Sequence, residues 1–253
     1  KIDSLLVLWP SKKSQKLFSL SSNKTYTLKE NEATYKPKNA NNNQKIFNDL
    51  TDKIQLNYSH EENLFNDFNR ERLIPYMISR EGPAIAAADI NGDNIIDIFI
   101  GSPSFQESHI FMGNKNGKFI KTEQKDLSED YLSEDVDAIF FDIDNDKDLD
   151  LYVVSAGNEL PQTANSLKDR LYINENNSFK RTKDLDQITQ HNSVVINYDY
   201  NSDGYDDLFI GGRVISERYG DSPKSYLLKN QKNGTFKIDR IFEEIGMITD
   251  AKW

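Results

Sequence analysis

An acidic loop that runs straight into an apolar strand occurs three times in this chain, and it constrains the fold more than any other feature. The copies are Asp89-Ile-Asn91-Gly-Asp93-Asn-Ile95-Ile-Asp97-Ile-Phe-Ile-Gly101, Asp142-Ile-Asp144-Asn-Asp146-Lys-Asp148-Leu-Asp150-Leu-Tyr-Val-Val154 and Asp199-Tyr-Asn201-Ser-Asp203-Gly-Tyr205-Asp-Asp207-Leu-Phe-Ile-Gly211. Each places a carboxylate or carboxamide at positions 1, 3, 5 and 9. A fixed period of roughly 55 residues points to repeated supersecondary units.

The parts around each loop recur as well. An apolar run precedes it (Ala84 to Ala88, Ala138 to Phe141, Val194 to Tyr198) and another follows (Ile98 to Ile100, Leu151 to Val154, Leu208 to Ile210). A third strand then ends in a turn, after Ile110, Leu171 and Tyr226, and a fourth opens with Phe119, Phe179 or Phe236. Asn116-Gly117 and Asn233-Gly234 are strong hairpin signals, because both central residues of a type I′ turn need positive φ. Two hairpins make four strands per unit, the composition of a propeller blade. Thr249-Asp250-Ala251-Lys252-Trp253 echoes Val136-Asp137-Ala138-Ile139-Phe140 and predicts the first strand of another blade. The expected fold is therefore all-β, a partial β-propeller over residues 84–253 with three loop-bearing repeats and the start of a fourth.

Upstream the pattern changes. Residues 1–35 read as a small antiparallel β segment of three strands, with Leu5, Val7 and Trp9 on one face of the first, then Gln15 to Leu20, then Tyr26 to Glu30. Residues 36–45 hold almost nothing to bury and read as a linker. In the lead-in over 46–83, Leu64, Phe65, Phe68 and Leu73 fit either one helical stripe or two strand edges. Lys1 is not a natural start and Ile2 to Trp9 reads as a strand in mid-domain, so the natural N-terminus and any targeting segment are expected upstream.

Composition narrows the function. With 37% hydrophobic and 11% aromatic residues the chain can bury a real core. A formal charge of −10 leaves no basic surplus to neutralise phosphates, which argues against nucleic acid and anionic membranes as partners. No apolar run reaches the roughly 18–20 residues of a membrane-spanning helix. Cysteine is absent, so no disulfide or thiolate site contributes.

The loops have the chemistry of calcium sites. Hard cations take six to eight oxygens from carboxylates, carboxamides and backbone carbonyls on a tight loop. The candidate ligands are Asp89, Asn91, Asp93, Ile95 and Asp97; Asp142, Asp144, Asp146, Asp148 and Asp150; and Asp199, Asn201, Asp203, Tyr205 and Asp207. Position 7 (Ile95, Asp148, Tyr205) varies from apolar to charged, so it is expected to offer its backbone carbonyl. An EF-hand would need Glu at position 12, where Ile100, Val153 and Ile210 stand, and helical flanks. Asp, Asn and Gly also form plain turns. Three in-register loops of mutually repelling carboxylates favour about three Ca²⁺ ions instead. Mg²⁺ suits them less, since it wants a rigid octahedron. The second loop, with Asp at all four positions, should bind most tightly.

These motifs closely resemble the FG-GAP repeat of integrin α-subunit propellers and its bacterial relatives, the VCBS repeats. The second loop departs in carrying Lys147 where glycine is usual, a change that bears on local geometry rather than ligand identity. Leu6-Val7-Leu8-Trp9-Pro10-Ser11-Lys12, with Gln15 and Thr27-Leu28-Lys29-Glu30, resembles the end of an ASPIC/UnbV domain. His60-Glu61-Glu62-Asn63, Asp67, Leu73-Ile-Pro75 and Ser79-Arg80-Glu81-Gly82-Pro83 look like the lead-in of Bacteroidetes-type members. The resemblance implies an exported, cell-surface binding or scaffold module with a protein or glycan partner, and by analogy an accessory of an outer-membrane complex. The alternative is a hydrolase or lyase that acts on extracellular polysaccharide, with the propeller as platform.

Enzymatic signals are sparse. His60, with Glu62, Asn63 and Asp67 nearby, is the best candidate site outside the loops, although a histidine bonded to carboxylates is commoner as structure than as catalyst. His109 and His191 sit beside strands and read as ordinary. Recurrent Phe119, Phe179 and Phe236 are expected in the core. Arg170 and Arg213 suit either pairing with acidic groups of neighbouring blades or lining a binding face.

Overall fold

The computed structural model describes residues 2–33, 47–182 and 188–253, so the expected linker at 36–45 lies outside the described residues. The chain divides into two compact units, 1–49 and 50–253.

The first unit is a hairpin of β1 (Ile2–Leu8) and β2 (Ser14–Leu20), paired from Ile2↔Leu20 to Leu8↔Ser14. Lys12, at φ 63, turns the chain between them. Val7 and Trp9 are half-buried, whereas Leu6 and Leu8 are exposed, as alternation along a strand requires. The third strand expected from Tyr26 does not form. Tyr26 instead directs its hydroxyl to the Ser21 backbone, whose N–H donates to it at 2.8 Å, and the chain turns into a 3-10 helix at Glu30–Glu32.

The second unit contains three four-stranded antiparallel sheets, each formed from consecutive strands. Blade one is β3 (Ile85–Ala88), β4 (Asp97–Ile100), β5 (His109–Gly113) and β6 (Phe119–Thr122). Blade two is β7 (Glu134–Phe141), β8 (Asp150–Ala156), β9 (Arg170–Glu175) and β10 (Ser178–Arg181). Blade three is β11 (His191–Tyr198), β12 (Asp207–Val214), β13 (Ser225–Asn230) and β14 (Phe236–Phe242). This is the architecture of a partial β-propeller. Its opening strands β3, β7 and β11 adjoin one another from blade to blade. Among the described residues no helix is long and apolar enough to cross a membrane.

Apolar clusters fill the two gaps between blades. Phe99, Ile110, Leu151, Val153, Tyr172 and Phe179 join blades one and two. Tyr152, Val154, Leu171, Val195, Ile210 and Phe236 join blades two and three. All seven residues of β8 are buried, because both faces of the middle blade are covered. Phe179 and Phe236 are core residues as expected, packed against Phe140 and Phe141 at ring distances of 6.0 and 6.3 Å. Phe119 is only half-buried and is not part of either inter-blade cluster.

The hairpin turns differ from the type I′ expectation at Asn116-Gly117. Gly117 has positive φ but Asn116 does not. Gly117 N–H donates to Asn114 O at 2.8 Å and Asn114 N–H to Lys118 O at 3.0 Å, a three-residue loop with a glycine bulge. In blade two Asn176 and Asn177 both have positive φ, at 55° and 67°, so the I′ pattern sits on an Asn-Asn pair.

The chain end repeats the blade-entry contacts. Ala251 N–H donates to Asp250 Oδ1 at 2.8 Å, as Ala138 N–H does to Asp137 Oδ1 at 2.9 Å. Ile248 N–H reaches Gly212 O at 2.9 Å, the counterpart of Asp135 N–H to Ser102 O at 3.0 Å. Residues 249–253 carry no strand ladder, and Trp253 stacks on Tyr198 at 5.4 Å.

The lead-in is neither a helical stripe nor a pair of strands. It is mostly irregular, with one helical turn α1 (Thr51–Ile54) and a 3-10 helix at Asp67–Asn69. Leu64 and Leu73 are 97% and 98% exposed, while Asp67, Ile74, Ile78 and Ser79 are buried. Ile74 and Ile78 pack against Val214 of blade three.

Candidate functional site

Each acidic loop joins the first two strands of its blade, so strand pairing holds both of its ends. Position 1 receives the loop's own backbone. Asp89 Oδ2 accepts from Asn94 N–H at 2.7 Å, Asp142 Oδ2 from Lys147 N–H at 2.9 Å and Asp199 Oδ2 from Gly204 N–H at 2.8 Å. Position 5 accepts from position 7: Ile95 N–H to Asp93 at 2.8 Å, Asp148 N–H to Asp146 at 2.8 Å, and Tyr205 N–H to Asp203 at 3.2 Å. The chain closes so tightly because positions 4 and 6 have positive φ in all three loops: Gly92, Asn145 and Ser202, then Asn94, Lys147 and Gly204. Asparagine and glycine tolerate that region, whereas Lys147 at φ 80 is strained there.

Position 9 has an anchoring role that spacing alone does not reveal. Asp97, Asp150 and Asp207 are buried, and one oxygen of each accepts a backbone N–H from the end of the third strand, Gly113, Asn174 and Asn230, all at 2.8 Å. In the first two loops the other oxygen accepts the position 2 N–H, Ile90 and Ile143, at 3.1 Å. In the third, Asp207 Oδ2 accepts from Asn201 Nδ2 at 2.8 Å. Asn174 and Asn230 then reach across the blade gap, donating to Ile90 O at 3.1 Å and Ile143 O at 2.7 Å. The first two loops are thereby tied to the next blade as well as to their own.

The electrostatics are those of crowded carboxylates. Burial pushes Asp150 up to about 7, with the charges of Asp144 and Asp146 adding to it. Burial also raises Asp97, Asp144 and Asp207. Asp199 is held below the usual range by the Gly204 N–H. Asp203 has lysines beside it, with Lys232 and Lys229 Nζ at 3.4 and 3.9 Å from Oδ2.

The donor set fits a hard cation best in the second loop. Asp142, Asp144 and Asp146 each bring one oxygen to within 4.8 Å of the others. Asp142 Oδ1, and Asn201 Oδ1 in the third loop, are buried without a hydrogen-bond partner. A buried oxygen without a donor carries a desolvation cost that a bound cation removes.

The residues singled out elsewhere divide into two groups. His60 Nε2 lies 2.7 Å from Glu62 Oε1, and Asn63 Nδ2 donates to Glu159 Oε1 at 2.9 Å. Asp67 does not join them. It accepts from Ser79 Oγ at 2.5 Å and Asn158 Nδ2 at 2.6 Å, in a buried structural network. Arg170 is buried in an ion pair with Asp135 of its own blade, not a neighbouring one. Arg213 binds both oxygens of Glu81 and the Tyr76 hydroxyl. His109 opens β5, and His191 opens β11 with Nε2 2.6 Å from Ser216 Oγ. Spacing gives no hint of Glu134 and Glu159, which converge beside Glu62. Burial, and then the charges of Glu159 and Glu62, push Glu134 up to about 10.

Two known families match parts of the chain. The FG-GAP-like repeat matches residues 89–153, which span the first two loops, and the ASPIC and UnbV family matches residues 1–35. No curated protein matches the chain. The chain is therefore a β-propeller-type protein that carries an FG-GAP-like repeat, preceded in sequence by an ASPIC and UnbV segment.

Proposed function

We propose that this protein is a calcium-stapled extracellular binding or scaffold module, displayed on a bacterial surface and engaging a protein or glycan partner. The observation that carries the calcium assignment is the convergence of Asp142, Asp144 and Asp146 within 4.8 Å, on a loop whose Asp142 Oδ1 has no protein donor. Side-chain oxygens of positions 1, 3, 5 and 9 and the position 7 carbonyl would hold the ion in each loop: Asp89, Asn91, Asp93, Asp97 and Ile95; Asp142, Asp144, Asp146, Asp150 and Asp148; Asp199, Asn201, Asp203, Asp207 and Tyr205. A Ca²⁺ ion there neutralises charge and locks the turn that joins two strands of a blade. Asp97, Asp150 and Asp207 already hold the third strand, so the lock extends across three of a blade's four strands.

The surface role rests on the FG-GAP-like repeat and the ASPIC and UnbV segment together, and the outer-membrane association is an extension of it by analogy. Protease treatment of intact cells tests display: the chain should be cleaved while a cytoplasmic marker survives. A glycan and protein array run in millimolar calcium and in EDTA tests the binding role. Calcium-dependent capture without turnover of polysaccharide is expected, and product formation that disappears in His60→Ala would overturn the non-enzymatic reading.

A further inference from the structure

We propose that Glu62, Glu134 and Glu159 form a second kind of divalent-cation site, outside the blade loops, which ties the lead-in segment to blade two. The three carboxylates come from separate stretches of the unit. Glu62 lies in the lead-in, Glu134 is the first residue of β7, and Glu159 follows β8 by three residues. Glu134 pairs across the sheet with Ala156, the last residue of β8, which brings the β7 start beside the loop that carries Glu159.

Two of the three acids are pinned by one oxygen and leave the other free. Glu62 Oε1 is held by His60 Nε2 at 2.7 Å, and His60 Nδ1 lies 3.3 Å from the Tyr58 hydroxyl, which donates to Gly101 O at 3.0 Å. Glu159 Oε1 is held by Asn63 Nδ2 at 2.9 Å. Glu62 Oε2 and Glu159 Oε2 are buried with no partner. Glu134 is the decisive member: it is 1% exposed, no protein donor reaches either of its oxygens, and the side chain within hydrogen-bond reach is a second carboxylate, Glu159. Gly157 leaves room between them. A Cβ at that residue would come within 3.1 Å of Glu159 Oε2 and 3.2 Å of Glu134 Oε2, so two free oxygens face the same space.

Among the described residues no lysine or arginine forms an ion pair with these three carboxylates, although the Arg70 guanidinium lies close by with Nε and Nη2 buried and without a hydrogen-bond partner. Among the described residues the His60–Glu62 contact is the one ion pair that reaches these carboxylates, and the nearby buried Arg170 is paired with Asp135. Arg70 Nη1 meets only the backbone oxygen of Glu159, at 3.4 Å. Isolated buried carboxylates cost several kcal/mol each, so such a group binds either a proton or a cation. An all-oxygen set with three carboxylates matches the calcium class of ion. Their oxygens do not all lie within 4.8 Å of one another as those of Asp142, Asp144 and Asp146 do, so joint ligation requires the side chains to close on the ion.

The experiment is calcium counting by equilibrium dialysis on the whole chain, with wild type beside Glu134→Gln and Glu159→Gln, whose loop residues are intact. Each variant should bind one calcium fewer per chain than wild type. Calcium should also slow tryptic cleavage at Arg70, Arg72 and Arg80 of the lead-in about tenfold in wild type and not in the variants. A folded variant that keeps the full calcium count and the protection overturns the site and leaves Glu134 as a protonated partner of Glu159. If Glu134→Gln does not fold, Glu62→Gln, at a partly exposed position, must show the same single loss or the proposal fails. Failure here would leave the loop sites standing, because their count is read in the same dialysis.

Discussion

Replacing Asp146 by alanine should have opposite consequences with and without calcium. In EDTA two small terms nearly cancel. The side chain gives up the 2.8 Å bond from Asp148 N–H on an exposed loop, worth about 0.5–1.5 kcal/mol net. It also gives up repulsion from Asp142 and Asp144, whose oxygens lie within 4.8 Å, about 1 kcal/mol or slightly more per pair in a water-like dielectric. The calcium-free variant should therefore melt within a few degrees of wild type, or slightly above it.

With calcium the balance changes. At a free concentration near 100 times Kd, one site contributes about 2.7 kcal/mol by mass action. Loss of a central ligand forfeits most of that. For a unit of 150–250 residues, about 2.7 kcal/mol corresponds to roughly 5–11 °C in Tm. Differential scanning calorimetry of wild type and Asp146→Ala, each in EDTA and in millimolar calcium, reads all four states. An equal Tm difference in both buffers would refute the reasoning, because it would assign Asp146 a structural role independent of metal.

Three further outcomes follow from particular contacts. Arg170→Met leaves Asp135 as a buried, uncompensated carboxylate and should cost about 3–5 kcal/mol in urea unfolding. Lys147→Gly relieves a left-handed residue and should add about 1 kcal/mol in EDTA, with the calcium count unchanged in dialysis. His191 is depressed from 6.5 to about 4 by burial, with Arg70 adding to the shift, so its neutral form stabilises the fold above pH 6.5 and that contribution is lost as pH falls toward 4. Between pH 7 and 5 the loss is about 2 kcal/mol, and His191→Gln should flatten that limb of the stability curve in chemical denaturation.

What was legible in the sequence is what sequence-local rules determine. The loops were visible because positions 1, 3, 5 and 9 act within nine residues of one another, and each hairpin is announced by its own turn. The echo of Val136–Phe140 at Thr249–Trp253 predicts a strand that residues 249–253 do not form, although Ala251 N–H donates to Asp250 as Ala138 N–H does to Asp137. The lead-in was illegible for the opposite reason. Its large apolar residues Leu64 and Leu73 lie almost fully in solvent, and it is fastened by polar side chains to partners far along the chain, Asp67 to Asn158 and Tyr58 to Gly101. Hydrophobic periodicity has nothing to report about such a segment.

The same distinction separates the two kinds of acidic site. Asp97, Asp150 and Asp207 declare themselves by spacing, yet half of what they do, receiving the third strand's N–H, depends on a residue 16 to 24 positions away. Glu134 declares nothing, since a glutamate at the first position of a strand is ordinary until Glu159 and Glu62 arrive beside it from the next loop and from the lead-in. A repeat can be found by comparing the chain with itself, but a convergence occurs only once. The carboxylates that repeat are accounted for by blade formation, and those that converge once, with oxygens unpaired at the junction of lead-in and blade, distinguish this propeller from a simple stack of its repeats.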